Sequence, residues 1–362
     1  MVTSAVRITV DGRSLSDASA FRGIGTYARN VVAGLAQDPG LEMSVLAPAG
    51  TDVPDGATHV RTLRVAPGRW RGREHDLLLP WDLRRAPADV LLSPAMDVPR
   101  RHRSPLVQTL HDAWPALAAT SSASADGWRR TAERLRSAEA VVTVSRWSAD
   151  TAVQSLGLDP RRLHVVPHGV SSAFRPGAGP ASPPYLLFVG EYDPRKRHHH
   201  AFEVVGRLAE QGFPHTLKVS GRIAPWFEGT LRGLVDGSRR PDRVELLGHL
   251  SFDELVATYQ GASALVVTSE AEGFGFPALE AMACGVPVVA YDNSATPEVV
   301  GTAGLLVEDG DVEALTRALV ALLRSEAEQV DRREQGIAQA ARFTWAGSVA
   351  AHRELLVRTA GR

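Results

Sequence analysis

The feature that most constrains the fold of this 362-residue chain is an alternation of short apolar runs with stretches of helical character. The runs of the first half contain many β-branched residues and occur at 6–12, 43–48, 88–94, 105–112, 139–145 and 163–169. Stretches such as 26–37 fit the helices between them. Strands that alternate with helices are typical of a parallel sheet covered by helices on both faces. The first half is therefore predicted to be an α/β domain.

A second series of the same kind follows a segment rich in proline and glycine. The segment Arg175–Pro184 holds four prolines and two glycines, which favours a linker over a helix or strand. The later runs occur at 185–191, 216–221, 244–249, 264–270, 286–292 and 304–309. We predict two doubly wound, Rossmann-like domains over 1–174 and 185–343, facing each other across a cleft. Ligands of such folds bind at the carboxyl ends of the strands, so the cleft is the predicted site.

Composition and length agree with a two-domain globular protein. A chain of 362 residues exceeds what one hydrophobic core usually serves, and 44% of its residues are hydrophobic. The apolar runs are strand-sized and too short to span a bilayer, and the N-terminus does not resemble a secretion signal. A cytoplasmic location is therefore expected. Because Cys284 is the only cysteine, an internal disulfide and a cysteine-based metal cluster are excluded.

The charge is small overall but unevenly divided. A net charge of −1 argues against a general nucleic-acid binder. Residues 1–172 hold 21 Lys and Arg against 17 Asp and Glu, whereas the remainder holds 19 against 24. Much of the excess comes from ten arginines, at positions 61, 64, 69, 71, 73, 84, 85, 100, 101 and 103. They form either a solvated face or a contact for an anionic acceptor or the inner face of a membrane.

The most informative stretch is SEAEGFGFPALEAMACGVPVVA, at 269–290. Glu272 and Glu280 are eight residues apart, and a Gly-rich turn leads from the first into a helix-compatible segment around the second. Pro277 suits the first turn of a helix. A helix N-terminus offers backbone N–H groups and a positive dipole end to a diphosphate, and the two carboxylates can accept bonds from hydroxyls. The alternative interpretation is a plain strand–turn–helix corner with two surface glutamates.

The segment EGFGFPALE resembles the signature of two glutamates separated by seven residues in retaining glycosyltransferases of the GT-B fold, family 4. Further stretches resemble the family in order and spacing, at 244–269, 285–290, 296–311 and 311–323. The resemblance implies that Glu280 holds the ribose hydroxyls and that Glu272 binds hydroxyls of the donor sugar. It also implies that backbone N–H groups of the corner Gly273, Phe274, Gly275 and Phe276 face the sugar or phosphate.

The stretch VGEYDPRKRHH at 189–199 resembles the basic element of the same family. The resemblance implies that Arg195 and Lys196 reach the donor diphosphate, where fixed positive charge stabilises the leaving group. Glu191 departs from the pattern, since many members have an arginine there. The run His198 to His200 could bind a metal, but it falls where the family begins a helix and no second ligand cluster accompanies it. No metal is therefore expected.

Two elements of the first half resemble the same family. FRGIGTYARNV at 21–31 resembles a Gly-Ile-Gly-x-Tyr loop, so Gly23 and Gly25 are expected in a turn before a helix, with amides facing the donor phosphate and the acceptor. HDAWP at 111–115 resembles the family's His-Asp-x-x-Pro element, and this resemblance implies that His111 contacts the donor sugar. His168 stands where the family usually has an asparagine, and this departure is expected to affect the interdomain turn. The resemblance also implies that 344–362 cross back to the first domain.

The resemblance implies a retaining, metal-independent hexosyltransferase that needs no cofactor besides its nucleotide diphosphate sugar. The motif combination favours GDP-mannose, although related members use UDP-sugars. The acceptor could be a saccharide, a lipid-linked acceptor or a natural product. A nucleotide-sugar epimerase is the alternative enzyme, which would act without an acceptor and is expected to arrange its carboxylates differently. A non-catalytic sugar-nucleotide binding module is the other alternative.

Overall fold

A computed structural model of the chain describes residues 5–16, 23–62, 81–95, 102–118 and 122–361. The chain divides into two units. The first comprises Met1–Gly169 with Thr344–Arg362, and the second comprises Val170–Phe343. Six of the ten arginines noted above lie outside the described residues, at positions 64, 69, 71, 73, 100 and 101. Among the described residues, no helix is long and apolar enough to cross a membrane.

The described part of the first unit contains one parallel sheet of seven strands, in the order β3-β2-β1-β4-β5-β6-β7. The strands are β1 Val6–Asp11, β2 Leu41–Ala47, β3 Thr58–Arg61, β4 Val90–Ser93, β5 Leu106–Leu110, β6 Ala140–Thr143 and β7 Leu163–Val165. Strands β4, β5 and β6 are buried along their whole length, because helices cover both faces of a parallel sheet. This burial explains why they are continuous apolar runs in the sequence.

The labelled helices of this unit are α1 Gly23–Ala36, α2 Trp114–Leu117, α3 Ser122–Leu135, α4 Arg146–Leu156 and α12 Trp345–Ala360. The last of these belongs to the first unit although it follows the whole of the second in sequence. It packs closely on α1 at Gly34, where an added Cβ would lie 2.5 Å from Val349 Cγ2. Only glycine at that position allows the two helices to approach this closely.

The second unit contains six parallel strands in the order β10-β9-β8-β11-β12-β13 within its described residues. The strands are β8 Tyr185–Val189, β9 Thr216–Ser220, β10 Val244–Gly248, β11 Ala264–Val267, β12 Val288–Tyr291 and β13 Leu305–Val307. Its helices are α5 His198–Glu210, α6 Pro225–Asp236, α7 Phe252–Gln260, α8 Phe276–Ala283, α9 Thr296–Val300, α10 Val312–Arg324 and α11 Glu326–Ala340. Both sheets therefore have the strand order of a doubly wound Rossmann fold.

The unit boundary and the edge of the first sheet differ from the sequence-based expectation. The segment from Arg175 to Pro184 belongs to the second unit, because Ala181 N donates to Gly261 O at 2.9 Å and Gln260 Nε2 donates to Arg175 O at 2.8 Å. The unit boundary lies earlier, between residues 169 and 170. Strand β3 was not predicted, because three of its four residues are exposed at the edge of the sheet and form no apolar run.

Candidate active site

Most of the predicted donor-site residues of the second unit lie on loops at the carboxyl ends of two adjacent strands. Arg195 and Lys196 follow β8, and Glu272 follows β11. These strands are neighbours at the point where the strand order reverses, since β9 and β10 lie on one side of β8 and β11 to β13 lie on the other. The loops of a doubly wound sheet diverge at such a switch point and leave a crevice for a ligand.

Lys196 and Glu272 form a direct ion pair. The distance from Lys196 Nζ to Glu272 Oε1 is 2.5 Å, and the two side chains are only 16% and 14% exposed. Ser269 Oγ donates to the same carboxylate oxygen at 2.6 Å. The backbone N–H of Glu272 donates to Ser294 Oγ at 2.9 Å. Because most of the pair is shielded from water, its attraction is screened less than that of a surface pair.

Two further hydrogen bonds hold the loops together at the backbone. Thr268 Oγ1 donates to Lys196 O at 2.7 Å, and Glu270 N donates to Arg195 O at 2.7 Å. The backbones that carry Lys196 and Glu272 are therefore held together directly. Sequence reasoning identified the two charged residues but missed Thr268, whose hydroxyl donates to a residue 72 positions away.

The other predicted cation of this loop is paired locally. Arg195 Nε lies 3.0 Å from Asp193 Oδ2, and the Asp193 side chain also accepts from the backbone N–H of Arg195 at 2.9 Å. This contact begins a 3-10 turn over Pro194–Lys196. Arg197 follows in the left-handed region, with φ of 47°, and pairs with Asp309 at 2.7 Å. The loop thus presents three consecutive cationic side chains, each close to a carboxylate.

The Gly-rich corner forms the start of helix α8. Gly275 precedes the helix with φ of 103°, a conformation that glycine adopts without strain, and no other heavy atom lies within 4 Å of where its Cβ would be. Phe274 is buried, and its ring packs against Phe276 and Phe343 with centroids 5.5 and 5.8 Å away. The corner therefore combines open space at Gly275 with the positive end of a helix dipole.

Glu280 lies on α8 and is held by a tyrosine that sequence reasoning missed. Tyr259 Oη donates to Glu280 Oε2 at 2.8 Å from helix α7, and the tyrosine is fully buried. Burial raises the pKa of Glu280 to about 7, and the hydrogen bond from Tyr259 opposes that rise. With a pKa of about 7, this carboxyl group changes charge close to neutral pH.

His111, predicted to contact the donor sugar, lies directly after β5 in the first unit. Its Nε2 is 2.8 Å from the carbonyl oxygen of Pro94. Burial is the main cause that lowers the pKa of His111 to about 4, so the imidazole is neutral at pH 7. A neutral ring can bond to a hydroxyl without carrying charge into the site.

The sequence predicted that Gly23 and Gly25 lie in a turn before the helix, but the structure places them inside it. They are the first and third residues of α1, and Gly25 is buried. Burial of Tyr27, Ala28 and Val31 on the same helix offsets the small helix propensity of the two glycines. Residues 17–22 lie outside the described part of the chain.

The histidine run opens helix α5 and packs into the second unit. The His198 ring lies 4.4 Å from the Phe188 ring and 5.2 Å from the Tyr192 ring, by centroids. His200 Nδ1 is 2.8 Å from Tyr291 Oη. Among the described residues there is no group of three or more His, Cys, Asp or Glu side chains placed to hold a metal ion.

Known protein families match both units. A profile described as "Glycosyl transferases group 1" matches residues 172–341, and one described as "Glycosyltransferase Family 4" matches residues 21–174. Two Rossmann-like units with these matches define the GT-B class of glycosyltransferases. Within that class, the chain belongs to glycosyltransferase family 4.

The relatives of the chain include bacterial mannosyltransferases. It is 31% identical over 277 residues to the MMP alpha-(1->4)-mannosyltransferase of Mycolicibacterium hassiacum, covering 71% of this chain and 67% of the relative. It is 30% identical over 227 residues to O-antigen chain mannosyltransferase B of Escherichia coli, covering 59% of each. The chain thus spans about three fifths of that relative's length.

The fold is shared with solved structures of low sequence identity. The crystal structure of Anabaena HepE in complex with UDP-glucose superposes with a TM-score of 0.75 at 17% identity, over 98% of this chain and all of HepE. This likeness confirms the GT-B fold that the sequence predicted.

Proposed function

We propose that this protein transfers a hexose from a nucleoside diphosphate sugar to an acceptor hydroxyl, with retention of anomeric configuration. The observation that carries the proposal is the Lys196–Glu272 ion pair at the switch point of the second sheet. It joins the basic stretch to the first glutamate of the two-glutamate signature. A binding site for a sugar diphosphate needs a cation near the phosphate and, close to it, a carboxylate that accepts hydrogen bonds from the sugar hydroxyls. Lys196 and Glu272 provide these two groups side by side.

In this proposal Lys196 exchanges partners when the donor binds. A diphosphate carries more negative charge than one carboxylate, so it competes effectively for Lys196. Glu272 then loses its cation and accepts hydrogen bonds from hydroxyls of the donor sugar, while Ser269 Oγ continues to donate to Glu272 Oε1. Until the donor arrives, the ion pair keeps both side chains in place.

The nucleoside end of the donor is assigned to Glu280. Its Oε2 accepts from Tyr259, and the ionised carboxylate has further lone pairs for the two ribose hydroxyls. The N-terminus of α8, preceded by Gly275, favours the negative diphosphate between sugar and nucleoside. Arg195 and Lys196 supply fixed positive charge to the same group.

The chemistry follows from where charge develops. The bond between the anomeric carbon and the diphosphate oxygen breaks, and its electron pair leaves with the nucleoside diphosphate. The acceptor oxygen bonds to the anomeric carbon on the same face, and its proton passes to a departing phosphate oxygen. Lys196 and Arg195 stabilise the negative charge of the leaving group without a metal ion. In this scheme His111 contacts the donor sugar as a neutral ring.

GDP-mannose is the proposed donor and a saccharide hydroxyl is the proposed acceptor. The motif combination and the two mannosyltransferase relatives support mannose. The HepE complex contains UDP-glucose, so the base is the part of the donor that most needs a test.

The test is calorimetric titration of the protein with GDP, UDP and dTDP, followed by NMR of the product formed from the preferred donor. We expect GDP to bind at least tenfold more tightly than the other two, and the new anomeric proton to have the configuration of the donor. Binding of none of the three would overturn the proposal. An inverted product would overturn the retaining mechanism, and conversion of the donor sugar without acceptor would indicate an epimerase.

A further inference from the structure

Three histidines and one tyrosine form a cluster in the first unit, in which His111 is partly exposed and the other three side chains are buried. Tyr27 of α1 lies at its centre, with ring centroids 4.9 Å from His111, 5.1 Å from His168 and 5.5 Å from His352. His168 follows β7 and His352 lies on α12, so the cluster joins four separate elements. Tyr27 and His352 have no exposed surface, and His168 is 3% exposed.

Hydrogen bonds hold the tyrosine in one orientation. His352 Nδ1 is 2.7 Å from the carbonyl oxygen of Ser348, so this nitrogen carries the ring proton and donates. Its Nε2 therefore accepts, and Tyr27 Oη donates to it at 2.6 Å. Thr109 Oγ1 donates in turn to the tyrosine oxygen at 2.8 Å. The Tyr27 ring is thus tied to β5 and to α12 through its hydroxyl.

The same reasoning assigns the tautomer of His111. Its Nε2 faces the Pro94 carbonyl at 2.8 Å, so Nε2 carries the proton and donates. In the neutral ring Nδ1 is then an acceptor, and none of the described residues donates to it. Nδ1 can therefore accept a hydrogen bond from a hydroxyl of a bound sugar.

Two aromatic surfaces limit rotation of the His111 ring. The Tyr27 ring meets it edge to face, with an interplanar angle of 84°. The His168 ring stacks along it, with centroids 5.7 Å apart and an interplanar angle of 27°. The centroid of the His168 ring lies 5.9 Å from that of the Trp345 ring, and Trp345 is the first residue of α12. Rotation about the Cβ–Cγ bond of His111 would therefore require both neighbouring rings to move.

We infer that His168 is a positioning residue for His111: stacked along the imidazole beside the anchored Tyr27 ring, it keeps Nδ1 of His111 available as an acceptor for the donor sugar. This inference rests on the proposed contact between His111 and the sugar. It gives a role to the histidine that replaces the asparagine usual in the family. Orientation matters because a misplacement of about 1 Å at a contact group can lower turnover roughly 100-fold.

The test compares His168→Phe with His168→Asn. Phenylalanine keeps a ring against His111, whereas asparagine fits the turn but removes the stacking surface. We expect His168→Asn to lower kcat by about 10- to 100-fold with KM for the donor changed less than about threefold, and His168→Phe to retain most of the turnover. Equal losses in the two variants, or a loss confined to KM, would overturn the inference.

Ring-nitrogen NMR gives a readout that does not depend on activity. With ¹⁵N-labelled histidine, we expect the wild-type protein and His168→Phe to show His111 as a single Nε2-protonated tautomer. His168→Asn is expected to show averaged Nδ1 and Nε2 shifts for His111. An unchanged His111 signal in a folded His168→Asn protein would contradict positioning.

A further variant separates this inference from the proposed function. His111→Ala should lower kcat at least as much as His168→Asn if His111 contacts the sugar. Full turnover in His111→Ala would remove the proposed role of His111 itself. A large loss in His111→Ala, combined with full turnover in His168→Asn, would leave the proposed function standing and refute only the role of His168.

Discussion

Lys196 Nζ lies 2.5 Å from Glu272 Oε1, although 76 residues separate the two in sequence. Each side chain is the other's partner in the structure, and the proposed function assigns each to a different part of the donor. The variants at these two positions should therefore behave differently. In the proposed function Lys196 contributes to binding of the diphosphate, whereas Glu272 competes with the diphosphate for that lysine and binds the sugar.

Lys196→Met should weaken binding of the nucleoside diphosphate about 10- to 100-fold, because a hydrogen bond to a charged group is worth about 1.5–3 kcal/mol. Calorimetric titration measures the change. The matched control is Lys218→Met, which removes the only other lysine of the chain. Lys218 Nζ lies 4.2 Å from the centre of the Tyr185 ring, on strand β9. Equal affinities in the two variants would exclude Lys196 from the diphosphate site.

Glu272→Gln should bind the nucleoside diphosphate at least as tightly as the wild type, because Lys196 no longer has a competing carboxylate. Transfer should nevertheless fall by at least about 100-fold, since the neutral amide is a weaker acceptor for sugar hydroxyls. Parallel measurements of affinity and turnover check both halves of the prediction. A loss of affinity as large as that of Lys196→Met would contradict the exchange of partners.

Nucleotide affinity should depend on the ionisation of Glu280. Burial raises the pKa of this group to about 7, so it is mostly protonated at pH 6 and mostly ionised at pH 8. The ionised form accepts ribose hydroxyls more strongly, so affinity should rise with pH by up to about tenfold over this interval. Glu280→Gln should abolish this rise, while any titration of the phosphate itself persists in the variant.

Tyr259→Phe offers a finer check of the same group. The hydrogen bond from Tyr259 lowers the pKa of Glu280, so its removal should move the midpoint of the affinity change to higher pH. A midpoint that stays in place would show that another residue titrates.

The twelve strands predicted from the sequence are all present, because strands buried on both faces leave uninterrupted apolar runs such as those at β4 and β12. Local motifs in the sequence also singled out Lys196 and Glu272, which the structure brings together. Contacts with residues outside these motifs were not predictable. Tyr259 reaches Glu280 from a neighbouring helix, and Tyr27 bonds His352 across 325 positions. Such contacts depend on how helices pack, and no spacing in the sequence encodes them.

Low pH should destabilise the protein through His352. Burial lowers the pKa of this fully buried histidine from 6.5 to about 4, so the folded state keeps it neutral where the unfolded chain binds a proton. Its stabilising contribution is full above pH 6.5 and is lost as pH falls toward 4. At pH 5 the loss is about 2 kcal/mol of unfolding free energy. Urea unfolding at pH 7.5 and pH 5 measures it. His352→Gln, which can still accept from Tyr27, should reduce the pH dependence by this amount, and an unreduced dependence would contradict the assignment.

Gly221→Ala should disrupt the loop that carries Lys196. A Cβ at this position would lie 1.9 Å from the carbonyl oxygen of Gly190, where the ends of β9 and β8 approach each other. The backbone must separate, which should cost about 1–3 kcal/mol of unfolding free energy and weaken nucleotide binding. Gly229→Ala is the control: an added Cβ at this helical position would meet no heavy atom within 4 Å beyond its chain neighbours and its own helix backbone, so stability should stay or rise by up to about 1 kcal/mol. Similar melting temperatures for the two variants would refute the prediction.

The most direct test of the diphosphate site uses the fact that the chain has only two lysines. Reductive methylation with ¹³C-formaldehyde labels both side chains, and each is assigned with the Lys196→Met and Lys218→Met proteins. On titration with GDP or UDP, the Lys196 signal should shift in proportion to saturation while the Lys218 signal stays in place. A Lys196 signal that does not move while calorimetry shows the nucleotide bound would contradict the account.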